Sequence, residues 1–178
     1  MSRTALGGTD PTHALATSSS AVSTTESDSS AQQIAKKHML LALAVGLLPL
    51  PLIDVAALTA IQLRMLSKLS SLYKVDFSDQ LGKSVIGSLV GSGGSVVAST
   101  TSTRLVMHLV PGGWVAGMVS TAVFAGASTY AVGKVFTEHF ASGGTFLTFD
   151  PEKVRKYYEQ QFAQGTIKVE QSFAGVKP

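Results

Sequence analysis

Between Met39 and Phe136 the chain carries only nine Asp, Glu, Lys or Arg residues: Asp54, Arg64, Lys68, Lys74, Asp76, Asp79, Lys83, Arg104 and Lys134. A water-facing helical bundle needs a charged side on each helix, and ordinary globular domains draw roughly a quarter of their residues from the charged set. Here charged residues make up 14% of the 178, against 45% hydrophobic, and the deficit falls in the middle of the chain. That distribution predicts an all-α protein whose hydrophobic helices are covered by lipid or by other protein.

The first apolar run, "MLLALAVGLLPLPLI" from Met39 to Ile53, interrupts itself. At about 1.5 Å per residue, a helix ending before Pro49 reaches roughly half of a ~30 Å hydrocarbon core. Pro49 and Pro51 remove backbone donors and bias their predecessors away from α geometry, so "PLP" reads as a turn. Asp54 then stands where the N-cap of a new helix belongs. Along that helix Leu58, Ile61, Met65, Leu69 and Leu72 recur at helical spacing, with Arg64, Ser67, Lys68, Ser71 and Lys74 on another face. Lys36 and Lys37 flank the other end of the pair. The positive-inside tendency puts both ends on the cytoplasmic side, which makes a hairpin.

A second hairpin repeats the plan. Residues 84–103 are uncharged, and rich in Gly, Ser and Thr; Arg104 follows, "VPGGW" with Pro111 is a turn, and an apolar run from Trp114 lasts to Gly133, with Lys83 and Lys134 as flanks. Ser84, Ser88, Ser92, Ser95, Ser99 and Thr103 form one stripe, with Gly87 and Gly91 beside it; Gly117 and Gly126 offer similar surfaces on the fourth helix. In lipid, small residues permit close backbone approach, so these stripes pack the hairpins or join subunits of a homo-oligomer. Asp54 and Arg104 are the charges nearest the two turns. They read as an ion pair or, separately, as a cap and a snorkelling arginine.

Three regions follow. Residues 1–33, dominated by Ser, Thr, Ala and Gly without apolar period, read as a disordered tail. Residues 34–147 hold the double hairpin, including a polar connector from Tyr73 to Lys83 with Ser78 or Asp79 as a cap. Residues 148–178 hold an amphipathic helix and a tail: Gly143 and Gly144 suit the end of the preceding helix, and Asp150, Pro151 and Glu152 make a helix start. That last helix is expected to end near Gly165 and to dock Val154, Tyr157, Tyr158, Phe162 and Ile167 on the hairpin ends or the bilayer surface.

Several chemistries find no support. The chain has no Cys, and His13, His38, His108 and His139 lack metal-ligand spacing, with His139 expected as a helix-end surface group. "GSLVGSGGS" lacks the Lys-Ser/Thr ending of a phosphate loop, and no catalytic triad or carboxylate pair is recognisable. The net charge of +3 is spread along the chain without interleaved aromatics, against a nucleic-acid role. No cofactor is expected. The N-terminus has no secretory-signal pattern, so insertion is expected to use internal segments.

"LLPLPLIDVAALTAIQLRMLSKLSSLYK" and, far downstream, "HFASGGTFLTFDPEKVRKYYEQQF" resemble the bacterial YcjF-type domain of unknown function, found in inner-membrane proteins and beside Era- or dynamin-like GTPase domains. The matching positions include Pro49, Pro51, Asp54, Gln62, Tyr73, Gly143, Gly144, Asp150 and Tyr157. The resemblance implies a membrane setting and a GTPase acting in trans. It implies no catalytic residue. The resulting expectation is a non-enzymatic protein of the bacterial inner membrane, both termini cytoplasmic, self-assembling to scaffold or shape the bilayer. One alternative is an oligomeric channel or transporter with Gln62, the Ser/Thr stripes, Asp54 and Arg104 along a polar path. Another is a soluble oligomeric module that regulates a GTPase.

Overall fold

A computed structural model describes residues 11–47, 53–92 and 113–174. These residues form helices α1 (Pro11–Gly46), α2 (Ile53–Leu72), α3 (Asp79–Ser92), α4 (Gly113–Ala141) and α5 (Pro151–Ala174), with no strand among them. The all-α expectation holds. Among the described residues no helix is long and apolar enough to cross a membrane.

α4 is the central helix. α1 runs antiparallel to it, with Gly46 against Ala122, Leu43 against Gly126 and Ala35 against Gly133. α2 folds back along α1, so that Ala42 clusters with Leu58 and Ile61 at one level while Tyr73 reaches Asp28 at the other. α5 also runs antiparallel to α4, placing Val169 on Gly126 and Gly165 on Ala127. Of the apolar series read along α2, Ile61, Met65 and Leu69 are buried, and Leu58 and Leu72 half-buried.

The core is graded along the bundle. One end is aromatic: Phe136 stacks on Phe149 with ring centroids 4.7 Å apart, and Phe140 and Phe146 meet edge-on at 5.2 Å. The other is built from small residues, with Ala42, Ala122 and Ala125 buried and Gly46 between helices.

Helix ends follow local chemistry. α2 and α4 both close in Schellman motifs: Val75 N donates to Ser70 O at 2.8 Å and Lys74 N to Ser71 O at 3.4 Å; Gly144 N donates to His139 O at 2.8 Å and Gly143 N to Phe140 O at 3.0 Å. The left-handed positions are Lys74, φ 57°, and Gly143, φ 84°. Only glycine adopts that conformation without steric cost, which accounts for Gly143. The Ser78 carbonyl accepts from Gly82 N at 2.8 Å, making Ser78 the cap position of α3. At α5, Asp150 Oδ1 accepts from Glu152 N at 3.1 Å.

Four expectations need correction. Residues 11–33 belong to α1, which crosses position 33 without a break, and Ala31 is fully buried; small residues that cannot build a core can still lie flush against one. Asp54 lies inside the first turn of α2 rather than ahead of it, because the helix begins at Ile53. Gly165 does not end α5, which runs on to Ala174. A Cβ there would stand 3.0 Å from both Cα and O of Ala127, so this glycine lets two helix backbones meet. Finally, Ile167 does not dock: Tyr158 and Val169 are buried in the bundle and Val154, Tyr157 and Phe162 pack against its core, but Ile167 is 55% exposed.

Candidate functional site

The small-residue faces divide into a closed set and an open one. On α4, a Cβ at Gly126 would lie 2.7 Å from Val169 Cγ2, and one at Gly133 would lie 2.9 Å from Ala35 Cβ and 3.2 Å from Met65 Sδ. These positions are sealed by α1, α2 and α5. On α3 the bundle is contacted instead by Val85, Ile86 and Leu89, all buried, while among the described residues nothing lies within 4 Å of where a Cβ on Gly87 or Gly91 would stand. Ser84 beside them is exposed and Ser88 half-buried, its hydroxyl donating to Val85 O at 2.8 Å. The expected packing residues therefore split: Gly126 is interior, whereas Gly87 and Gly91 form a face that no described residue covers.

The remaining candidates cannot be brought together. Pro49, Pro51, Ser95, Ser99, Arg104 and Pro111 lie outside the described residues, as do the side chains of Asp54 and Ser92 and the surroundings of Gly117. The Asp54–Arg104 pairing falls outside them too.

Next to the closed face sits a buried polar contact between α2 and α4. The Gln62 amide nitrogen donates to Thr129 Oγ1 at 3.3 Å and to Ser128 Oγ at 3.4 Å, and all three side chains are at most 1% exposed. His38, on α1, is also buried; its Nδ1–H donates to the Ile34 carbonyl at 2.7 Å. Burial pushes the His38 pKa below its ordinary 6.5, opposed by that hydrogen bond and reinforced by the Lys68 and Arg64 charges. At the aromatic end the His139 Nε2–H donates to Thr145 O at 2.9 Å while the ring meets Phe149 edge-on at 5.2 Å. His139 is thus part of the aromatic packing rather than a free surface group, and a Cβ on Gly144 would overlap its ring. Among the described residues no group of three His, Cys, Asp or Glu side chains is placed to hold a metal.

Residues 12–166 match the family described as domain of unknown function DUF697. The chain belongs to this family. It is the one that the two separated motifs resemble. The DUF697 chain is 45% identical over 140 residues to magnetosome membrane protein 22 of Magnetospirillum gryphiswaldense, covering 76% of this chain and 70% of that one. No solved structure matches it.

The burial of Gln62 and of His38 inside the DUF697 bundle was not expected from the sequence. Gln62 falls on the apolar stripe of α2, four residues after Leu58 and three before Met65, and that polar residue in phase with the core was the available signal. His38 carries no such mark, because its burial depends on α2 folding back beside α1.

Proposed function

We propose that this DUF697 chain is a non-enzymatic, membrane-associated protein of the bacterial inner membrane that assembles with copies of itself through the open face of α3 and so scaffolds the bilayer. The carrying observation is the contrast among its glycines. Gly46, Gly126, Gly133 and Gly165 are each closed by a neighbouring helix, whereas Gly87 and Gly91 meet nothing among the described residues. Glycine inside a helix costs about 0.5–1 kcal/mol relative to alanine. Two of them four residues apart on one open face are accounted for by another backbone arriving there, in the small-xxx-small manner of helices in lipid.

The membrane part of the reading is supported by the name of the magnetosome relative. It is also supported by Leu40, Leu41 and Val119, which are 41%, 48% and 42% exposed. Leu41 and Val119 lie within a few residues of the Gly46–Ala122 contact, and that end of α1 leads into the proline-broken run. In this arrangement the hairpin turns enter the bilayer from the cytoplasmic face and both termini stay in the cytoplasm. The channel alternative is weakened at one residue, since Gln62 spends its amide inside a single bundle.

The test is vesicle flotation of the full chain followed by chemical cross-linking, with Gly87→Leu and Gly91→Leu as variants. Wild type should float and cross-link into multimers, and the variants should float with unchanged helicity as single chains. Wild type left at the bottom of the gradient removes the membrane reading; multimers unaffected by both leucines remove the α3 interface. Vesicles of unchanged shape at high protein density remove scaffolding.

A further inference from the structure

We propose that a groove between α1, α4 and α5 is a binding site for a phosphate-bearing anion, gripped by Lys36, Lys134 and Lys168. The groove encloses about 620 Å³, and these three lysines, one from each helix, line it together with Gln32 and Gln171 and without a single Asp or Glu. Among the described residues none of the three has a carboxylate within ion-pairing distance; the ion pair described, Lys153 with Asp150, lies elsewhere. Glu138, one turn beyond Lys134, is exposed and is not part of the lining. Three lysines lining one groove that has no carboxylate in its lining repel one another, and an anion seated among them turns that repulsion into attraction.

The donor chemistry fits phosphate. Each lysine offers three N–H donors and no acceptor, and the glutamine amides add neutral donors. The neighbouring hydroxyls donate to their own helices, Ser29 to Glu26 O and Ser172 to Lys168 O, both at 2.9 Å. Lys168 is steadied over the Tyr130 ring, 5.6 Å from its centroid, at the mouth of the groove. Ala35 and Met39, buried and apolar, supply a floor suited to the organic part of a phosphate ester. A lipid headgroup and a soluble phosphate share this chemistry. The proposal is independent of self-assembly, because no α3 residue lines the groove.

The experiment titrates the full chain, dispersed in detergent, with inorganic pyrophosphate by calorimetry, and in parallel with short-chain phosphatidic acid or short-chain phosphatidylcholine. We expect saturable binding in at least one arm, weakened about tenfold or more by Lys134→Gln and by Lys168→Gln, the loss of one charge-assisted contact each. Lys37→Gln, equal in charge but outside the lining, should leave it unchanged. Binding of pyrophosphate identifies a soluble source; dependence on phosphatidic acid without pyrophosphate binding identifies a headgroup. Absence of binding in both arms, or equal weakening by Lys37→Gln, overturns the proposal. Unchanged circular dichroism of the variants excludes misfolding as the cause of any loss.

Discussion

Gly46 and Ala122 touch backbone to backbone: a Cβ on Gly46 would lie 2.6 Å from the Ala122 Cα. The backbone fixes a Cβ at position 46, so no side-chain rotation moves it away from α4. Gly46→Ala should therefore destabilise the fold by about 1–3 kcal/mol, the usual effect of overpacking. Gly87→Ala, at a helical position where no described residue would meet the added Cβ, should stabilise a detergent-dispersed single chain by about 0.5–1 kcal/mol. Chemical denaturation of the pair checks both, and equal shifts in one direction would contradict the packing.

Gln62 and Gln161 should respond oppositely to loss of polarity. Gln62 serves two buried hydroxyls, so Gln62→Ala, which leaves both a void and a lost partner for Thr129, should cost roughly 2–4 kcal/mol. Gln161 Oε1 is buried with no partner, so Gln161→Met should be neutral or stabilising by about 1 kcal/mol. Urea midpoints at constant m-value report the difference.

His38 makes stability pH-dependent. The folded chain keeps the ring neutral to a lower pH than its ordinary 6.5, so below that value the unfolded chain binds more protons. Stability contributed by the neutral ring is complete above 6.5 and falls as the pH drops from there toward the folded pKa. The melting temperature of wild type should decline over that window, and His38→Leu should flatten the decline. A wild-type curve already flat there would refute the assignment.

Tyr73 ties the early part of α1 to the bundle. Its hydroxyl donates to Asp28 Oδ1 at 3.3 Å, and burial, aided by the Asp28 charge, pushes its pKa up to about 12. Tyr73→Phe should speed amide hydrogen exchange in residues 25–33 while leaving α4 protected. Uniform exchange across both helices would show that this contact holds nothing locally.

Local signals were readable where one residue type decides the outcome. Gly143 as a left-handed terminator, Asp150 and Pro151 as a helix start, and the spacing of Ile61, Met65 and Leu69 each specify structure within a turn or two. Gly165 misled because a glycine that stops a helix and one that admits a neighbour look alike until Ala127 is opposite it. Residues 25–33 misled for a related reason: Ala31 has no apolar period to announce itself, and its burial is set by contacts distant in sequence. The lysine groove was invisible because positions 36, 134 and 168 share no local pattern.

The bundle's uneven core gives it a mechanical polarity. Dispersion grows with the number of atoms in contact, so the stacked rings of Phe136, Phe140, Phe146 and Phe149 act as a fulcrum. At the opposite tip, where Gly46 rests on Ala122, α1 and α4 meet backbone to backbone rather than through stacked rings. Separation of α1 from α4 is therefore expected to take the least work at that tip, while the rings stay clamped.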